Sequence, residues 1–271
     1  MFILSHLKFF LTITAKNTNY SIELGKPVSV SRIINLNQHS KAFNLPEVTT
    51  KPFTYENIFV GDVLQGGSCN VDVLSFCPHN LTHVETSAHI LDQSRSNAKI
   101  QDIPLDYLQG LVYLIDVSNL IKENDTLITK DVITKELKKI YLPVSAIAIK
   151  TQSSQLRQDY DFSGKDFVAL DELTAKELTN FEFDGQEIKT LILDLPSTDP
   201  EIDDGKLLAH RAFFKLPKEG IDFEDMNKKV IVELAYFKNL VQNYYYFIMT
   251  PARIQSNAMI TDILFYPIIN H

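Results

Sequence analysis

Three of the seven histidines in this 271-residue chain fall inside one short run, His79-Asn-Leu-Thr-His83-Val-Glu85-Thr-Ser-Ala-His89. Imidazole and carboxylate together suit zinc, manganese or iron, and three protein ligands with one open position leave room for a reactive water. All four ionisable residues occupy odd positions, so extended backbone would turn them to one face. A straight strand would still hold His79 and His89 about 33 Å apart at about 3.3 Å per residue. A helix pairs His79 with His83 and Glu85 with His89 but turns the two pairs to opposite sides. The segment must therefore curl as it leaves a strand. Cys77 stands two residues before His79 as a fourth ligand or, in the plainer reading, as a small buried hydrophobe at a strand end. A single histidine is more often a satisfied core or surface group; the cluster reads as a site.

Other chemistries lack their usual marks. There is no His-Glu-x-x-His, no Gly-x-Ser-x-Gly, no phosphate-binding glycine loop and no dinucleotide fingerprint. The net charge of -8 comes without an arginine-rich run, and the basic stretch Lys135 to Lys139 reads as the solvated face of a short helix. Nucleic acid is accordingly not an expected partner. Cys69 and Cys77 are too few for a disulfide framework, though one bridge between them is left open, and reduced thiols fit a cytoplasmic enzyme. No stretch approaches the roughly 18 apolar residues of a membrane span.

The elements that must position the cluster read as a single mixed α/β domain over 1–271, rich in strands. Met1 to Ala15 is apolar enough to raise the question of a leader peptide. Lys8 and the lack of a small-residue cleavage site favour the first half of a hairpin, Phe9 to Ala15 with Tyr20 to Leu24. Further strands are expected at Val28 to Ile34, Leu111 to Val117, Val144 to Ile149, Thr190 to Leu195, Val230 to Tyr236 and Tyr244 to Met249. A buried strand from Asn70 to Cys77 should end at Pro78, just before the histidines. Helical patterns cover Thr129 to Ile140, Asp171 to Phe181 and Lys206 to Lys215, with aspartate or threonine to cap them. Asn35 to Pro52 is the longest loop and a candidate cover for a pocket.

The spacing His-x-x-Thr-His-x-acid-x-x-x-His resembles the H-x-G-T-H-x-D-x-P-x-H signature of the cyclase family, whose best known members are bacterial kynurenine formamidases. Leu81 replaces the family's glycine, Glu85 its usual aspartate and Ser87 its usual proline. A branch of the family reads G-T-H-T-E, so Leu81 is the unusual departure. Asp194-Leu-Pro196-Ser197-Thr-Asp199 resembles the family's D-x-P-S-x-D segment, Leu207-Leu-Ala-His210 its L-x-x-H stretch, and Glu233 in Val230-Ile-Val-Glu233-Leu its second metal-binding glutamate. The opening hairpin and Gly66-Gly67-Ser68 are also similar to this branch.

That resemblance implies a swivelling β/β/α fold with a mixed barrel, assembled as a homodimer or homotetramer. It implies that His79 and His83 bind one ion, that Glu85 and Glu233 bridge two, and that His210 binds the second. The ion would be Zn2+, with Mn2+ the alternative. His89 would be the proton donor and acceptor, and Asp194, Ser197 and Asp199 would orient ligands from behind or serve as a plain polar turn. Without the resemblance, Glu233 on an apolar strand would still need a partner or a metal, while His210 would be unremarkable. The expected reaction is hydrolysis of an amide, such as an N-formyl arylamine, or of an ester or lactone, in a small-molecule substrate. A non-catalytic, metal-stabilised binding protein on the same scaffold is the rival reading, and Leu81 is its motive.

Overall fold

The computed structural model of the chain describes residues 10–270 apart from 16–17, 37, 57, 93, 95–97, 123–124 and 221–228. Four parallel strands form its centre, Gln109–Asp116, Ala146–Lys150, Thr190–Leu193 and Val230–Glu233. Parallel neighbours need long crossovers, and each crossover carries one helix: α1 (Lys130–Leu137), α2 (Glu172–Asn180) and α3 (Leu208–Phe213). Both faces of these strands are covered, which is why they read as unbroken apolar runs.

Alternation along the strands divides their side chains between two cores. Ile115, Ile147, Ile149, Leu191, Leu193 and Ile231 pack with the helices. Val112, Leu114, Ala148, Ile192 and Val232 fill a second core on the other face. Antiparallel strands extend both edges. His83–Thr86 pairs with Val230–Glu233 and then with Ala258–Ile260. On the far side come Asn243–Met249, Ile263–Asn270 and the N-terminal hairpin of Phe10–Ala15 and Thr18–Glu23. Val28 and Ser29 pair with Phe265 and Leu264, and Ser31 bridges to Ala235 at the end of the Val230–Glu233 strand. This short segment completes a circuit of strands around the second core, which gives a large mixed sheet a barrel-like wall.

Several expected elements are shorter than the sequence pattern, for identifiable reasons. The run from Val28 to Ile34 leaves the ladder after Ser29 because the backbone N–H of Arg32 is taken by Thr82 Oγ1 and that of Ile33 by the Gln158 side chain. The Val230 strand stops at Glu233 because Leu234 adopts a left-handed conformation with φ 56°. The expected buried strand from Asn70 to Cys77 is instead exposed over Asp72–Ser75, since it pairs only with Thr49–Pro52 in a ribbon off the main sheet. The ribbon also takes the end of the long loop. The C-terminal strands from Ala258 onward were not apparent in the sequence pattern. Cys69 and Cys77 are both free, Lys135, Lys138 and Lys139 are exposed on or just beyond α1, and residues 1–9 lie outside the described residues.

Thr82 ties three segments together. Its buried hydroxyl donates to the Leu234 carbonyl at 2.6 Å and accepts from the Arg32 backbone N–H at 2.9 Å. Thr82→Val keeps the shape and strands both partners, so it should destabilise the protein by about 1–3 kcal/mol. Urea unfolding measures this, and a change within error of zero would show that the hydroxyl is not what fixes these segments.

Candidate metal centre

The histidine run curls as its spacing requires: a 3-10 turn over Pro78–Asn80, a strand over His83–Thr86, and a second 3-10 turn over Ser87–His89. Within the strand, His83 and Glu85 share a face while Val84 enters the second core. The pairing register sets Glu233 directly opposite His83 and Ile231 opposite Glu85. Glu233 thus reaches the cluster through strand pairing, on the face that α3 covers. From α3, His210 completes the group.

Distances among these groups are short and uneven. Glu85 Oε2 lies 3.5 Å from His79 Nδ1, 3.5 Å from His83 Nε2 and 4.0 Å from His89 Nε2. Its other oxygen, Oε1, accepts from His210 Nε2 at 2.8 Å. The Glu233 oxygens stand 3.7 Å from His83 Nε2 and 3.4 Å from His210 Nε2. Two triads have ligand atoms mutually within 4.8 Å, His79 with His83 and Glu85, and His210 with Glu85 and His89. Glu85 belongs to both. His89 is therefore placed at ligand range as well as on the cavity wall.

The donors fit a metal ion. His83 Nε2 and Glu85 Oε2 are buried yet lack any hydrogen-bond partner, an expensive arrangement for groups that water cannot reach. Four ligands about 2.1 Å from a tetrahedral zinc stand about 3.4 Å apart, close to the two 3.5 Å separations around Glu85 Oε2. The free nitrogens are also fixed from behind. His83 Nδ1 donates to the Leu81 carbonyl at 2.9 Å, and His210 Nδ1 to Asp199 Oδ2 at 2.5 Å. Asn257 hydrogen-bonds the His79 ring. By contrast, the second triad is closed by the His210–Glu85 hydrogen bond.

Leu81 does not disturb this. Its φ of -129° is ordinary extended backbone and its side chain is buried, so no glycine is needed. Asp199 also accepts from the backbone N–H groups of Ala209 and His210, which anchors the start of α3. The Ser197 hydroxyl accepts from the Asp199 N–H and lines the cavity. Asp194 is spent elsewhere: its carboxylate accepts from Thr151 and Ser154, with burial pushing its pKa up. Glu233 accepts from the N–H and hydroxyl of Thr198, at 2.5 and 2.8 Å.

A cavity of about 310 Å³ opens over the cluster, with His79, His89, His210 and Glu233 at its floor. Phe43 and Leu45 supply one wall from the long 35–52 loop. That loop is pinned to the histidine segment by the buried Asn80 side chain, which accepts from Ala42 N and donates to the Leu45 and Pro46 carbonyls. Phe43 and Leu207, both lining the cavity, have left-handed backbone with φ of 55° and 49°, a strain that persists where surrounding structure over-determines it. Asn80, Asn257, Phe43 and Glu201 carried no motif that sequence reading could catch. A larger concavity of about 560 Å³, between Ser29–Ile34 and Thr250–Asp262, contains no imidazole.

Without an ion, these charges compensate one another. Burial opposes charge on His83 and His210, but the neighbouring glutamates prevail and raise both pKa values above that of a free imidazole, His210 strongly. Burial likewise opposes charge on Glu85, and His89 and His210 nevertheless hold it well below the usual carboxylate range. His79 goes the other way, to about 3, through burial and then the nearby His83.

Fold and site together define a mixed α/β, strand-rich protein with a large mixed sheet and a buried histidine–carboxylate centre beneath a cavity of about 310 Å³. The sequence matches the family described as Putative cyclase over residues 12–200, and the chain belongs to that family. No curated protein matches it significantly. Among solved structures it is similar to one described as a potential metal-dependent hydrolase with cyclase activity (19% identity, 89% of this chain, 97% of that chain, TM-score 0.64). A predicted metal-dependent hydrolase from Bacillus stearothermophilus is similar too (19% identity, 89% and 98%, TM-score 0.63). So is isatin hydrolase A from Labrenzia aggregata bound to benzyl benzoate (13% identity, 89% and 93%, TM-score 0.63). These likenesses establish the fold.

The charge pattern makes metal uptake a proton-releasing event. His83 and His210 hold protons above pH 6.5, the free-imidazole value, and a metal takes only the neutral ring. In the metal-free protein their stabilisation is complete below pH 6.5 and lost as pH rises through the raised values; the neutral His79 contributes above pH 6.5 and loses its share as pH falls toward 3. Zinc titration by calorimetry in buffers of different ionisation enthalpy should show proton release and an affinity that rises with pH. A first equivalent should bind more tightly than a second, His83→Ala should abolish the first, and Glu233→Gln should lower occupancy. Proton-neutral binding, or full occupancy in both variants, would refute the assignment.

Proposed function

We propose that this chain is a metal-dependent hydrolase that opens an amide bond, an N-formyl arylamine being the leading class and an ester or lactone the alternative. The observation that carries this reading is the position of Glu85: one fully buried carboxylate shared by two groups of imidazoles, three of which, His79, His89 and His210, line a cavity of about 310 Å³. Family membership supports it, as does the shared fold of isatin hydrolase, whose named substrate contains a cyclic amide. The ion, zinc or else manganese and one or two in number, supplies a water of lowered pKa and a positive charge for the developing oxyanion when bound.

The chain's own residues divide the remaining work. His79, His83 and Glu85 would hold the first ion, and His210 would hold a second, with Glu85 and Glu233 shared between the two. Asp199 keeps the His210 ring in one tautomer. His89 moves the proton: its side chain is the most exposed of the four, at 29%, and its ring packs 4.4 Å from that of His79 on the cavity wall. Imidazole is suited to proton transfer near neutral pH. The walls of Phe43, Leu45, Pro196 and Leu207 exclude water around an apolar substrate body. Leu81, being unstrained, gives no support to a binding protein that has lost its chemistry.

Assembly as a homodimer or homotetramer belongs to the same proposal. The ribbon of Thr49–Pro52 and Asp72–Ser75, with the loop between, exposes Phe53, Tyr55, Ile58, Leu64 and Leu74, more apolar surface than a two-stranded ribbon leaves in water without a partner. Sedimentation equilibrium should report a multiple of 30.9 kDa, and Leu64→Asp with Leu74→Asp should shift it to monomer. A monomeric wild-type protein would end that part of the reading.

His89→Asn separates chemistry from metal binding. Loss of a positioned acid or base costs about 10² to 10⁴ in rate, so kcat for formanilide should fall by that order while elemental analysis finds metal content unchanged. Loss of the ion from this variant would make His89 a ligand. Retention of both ion and turnover would remove it from the mechanism, and a wild-type protein inert toward amides, esters and lactones would remove the mechanism.

A further inference from the structure

The loop that walls the cavity turns at a strained point. The Leu45 backbone N–H donates to the Ala42 carbonyl at 3.0 Å, and the two residues inside this turn, Phe43 and Asn44, both have left-handed backbone, with φ of 55° and 53°. Such a turn prefers glycine, asparagine or aspartate, so Asn44 fits it and Phe43 does not. A bulky aromatic residue keeps this conformation only where its surroundings over-determine it. Phe43 lines the cavity, and its ring packs edge-on against Phe167 with centroids 6.2 Å apart.

The two ends of this strained loop are joined by a histidine that the metal cluster does not use. His39 is buried, with 3% of its surface exposed. Its Nδ1 lies 2.7 Å from the Ser40 carbonyl oxygen, and its Nε2 lies 3.2 Å from the Val48 backbone nitrogen. A carbonyl oxygen can only accept and a backbone N–H can only donate, so Nδ1 carries the proton and Nε2 is the acceptor. The ring in this arrangement is neutral and in one tautomer, since a proton on Nε2 would face the Val48 donor with a second donor. Ser40 in turn donates its hydroxyl to the Asn80 carbonyl at 2.9 Å, which joins this clasp to the residue that holds the middle of the loop.

We propose that His39 is a positioning residue for the cavity: its neutral ring clasps the start of the 39–48 loop to its end, keeps the turn at Phe43 under strain and so fixes the wall that receives the ligand. Breaking the clasp strands the buried Val48 N–H and Ser40 carbonyl and lets the turn relax. None of the candidate metal ligands lies within 39–48, so recognition and chemistry should respond separately. This rests on the hydrolase reading for the reaction but not for the positioning.

One spectrum and two variants test it. Long-range proton–nitrogen correlation NMR of the wild type at neutral pH should show His39 protonated at Nδ1 alone. His39→Leu keeps bulk without a donor or an acceptor, whereas His39→Gln offers one of each. On the metal-loaded enzyme, His39→Leu should raise KM for formanilide about tenfold, the order of one buried hydrogen bond lost, with kcat and metal content little changed. His39→Gln should bring KM back toward the wild-type value. Ligand-observed NMR with 4-methylbenzamide, which needs no turnover, should rank the three proteins in the same order. A His39 ring protonated at Nε2 or at both nitrogens overturns the proposal even if neither variant folds. So do unchanged KM and affinity in His39→Leu, a loss confined to kcat, or a His39→Gln protein no better than His39→Leu. Benzamide affinities in the expected order without hydrolysis of formanilide support the role of His39 and overturn the amide-hydrolase reading instead, and a wild type that neither binds the one nor cleaves the other overturns both.

Discussion

The structure depends on keeping the Glu85 carboxylate charged where no water reaches it. An isolated buried carboxylate would be intolerable, and the fold answers by setting four imidazoles within 4.0 Å of its oxygens. The compensation is incomplete, as the unpartnered Glu85 Oε2 and His83 Nε2 show. Protons on His83 and His210 supply positive charge when no ion is bound, and a divalent ion would supply more of it from one point. The same group thus drives folding toward the protonated cluster and chemistry toward the metal-filled one. Both states need the same backbone, so the scaffold must be stiff enough to hold the ligands apart in the absence of an ion.

That stiffness is built from strand pairing and from strain. His83 and Glu233 are set opposite each other by the register of two fully buried strands, and a slip of one residue would turn both away. Leu234 ends its strand with a left-handed turn immediately after Glu233, its N–H bound to the Leu195 carbonyl at 2.7 Å and its carbonyl held by Thr82. Leu207 does the same before α3, where Asp203 accepts from its N–H and Asp199 fixes the following turn. α3 has six residues, too few to be stable from propensity. Its hold on His210 comes from Asp199 and from packing of Ala209 and Phe213 into the core.

Much of this could be read in the sequence, for physical reasons that also define the limit. Three histidines and a glutamate at odd positions with an impossible straight-line reach dictated a curled segment, and the 3-10 turns at Pro78–Asn80 and Ser87–His89 provide the curl. Parallel strands, buried on both faces, announced themselves as apolar runs. Glu233 could be suspected as a charge among valines, but its partner could not, because register between strands far apart in the chain leaves no local trace. The Asp72–Ser75 ribbon misled because Val71, Val73 and Leu74 are as apolar as core residues while lying on the surface; hydropathy measures the wish to be covered, not by what. Asn80 acts through backbone groups of a loop distant in sequence, and hydrogen bonds of that kind have no periodicity to detect.

The division between rigid floor and variable wall has a consequence for what such a scaffold can acquire. The candidate metal ligands sit on two paired strands, the turns beside one of them and a helix locked to the core, where any change is transmitted through close packing. The cavity walls come from Phe43 and Leu45 of the 35–52 loop and from Pro196, Pro200 and Leu207. Phe43 and Leu45 line the cavity without touching the Glu85 cluster, whereas a substitution at Asp199 alters the tautomer and charge of His210 together. The loop is nevertheless not free. Asn80 clamps its middle to the turn that carries His79, which ties the wall to the histidine segment. The cavity wall can therefore vary through its side chains more easily than through the shape of the loop.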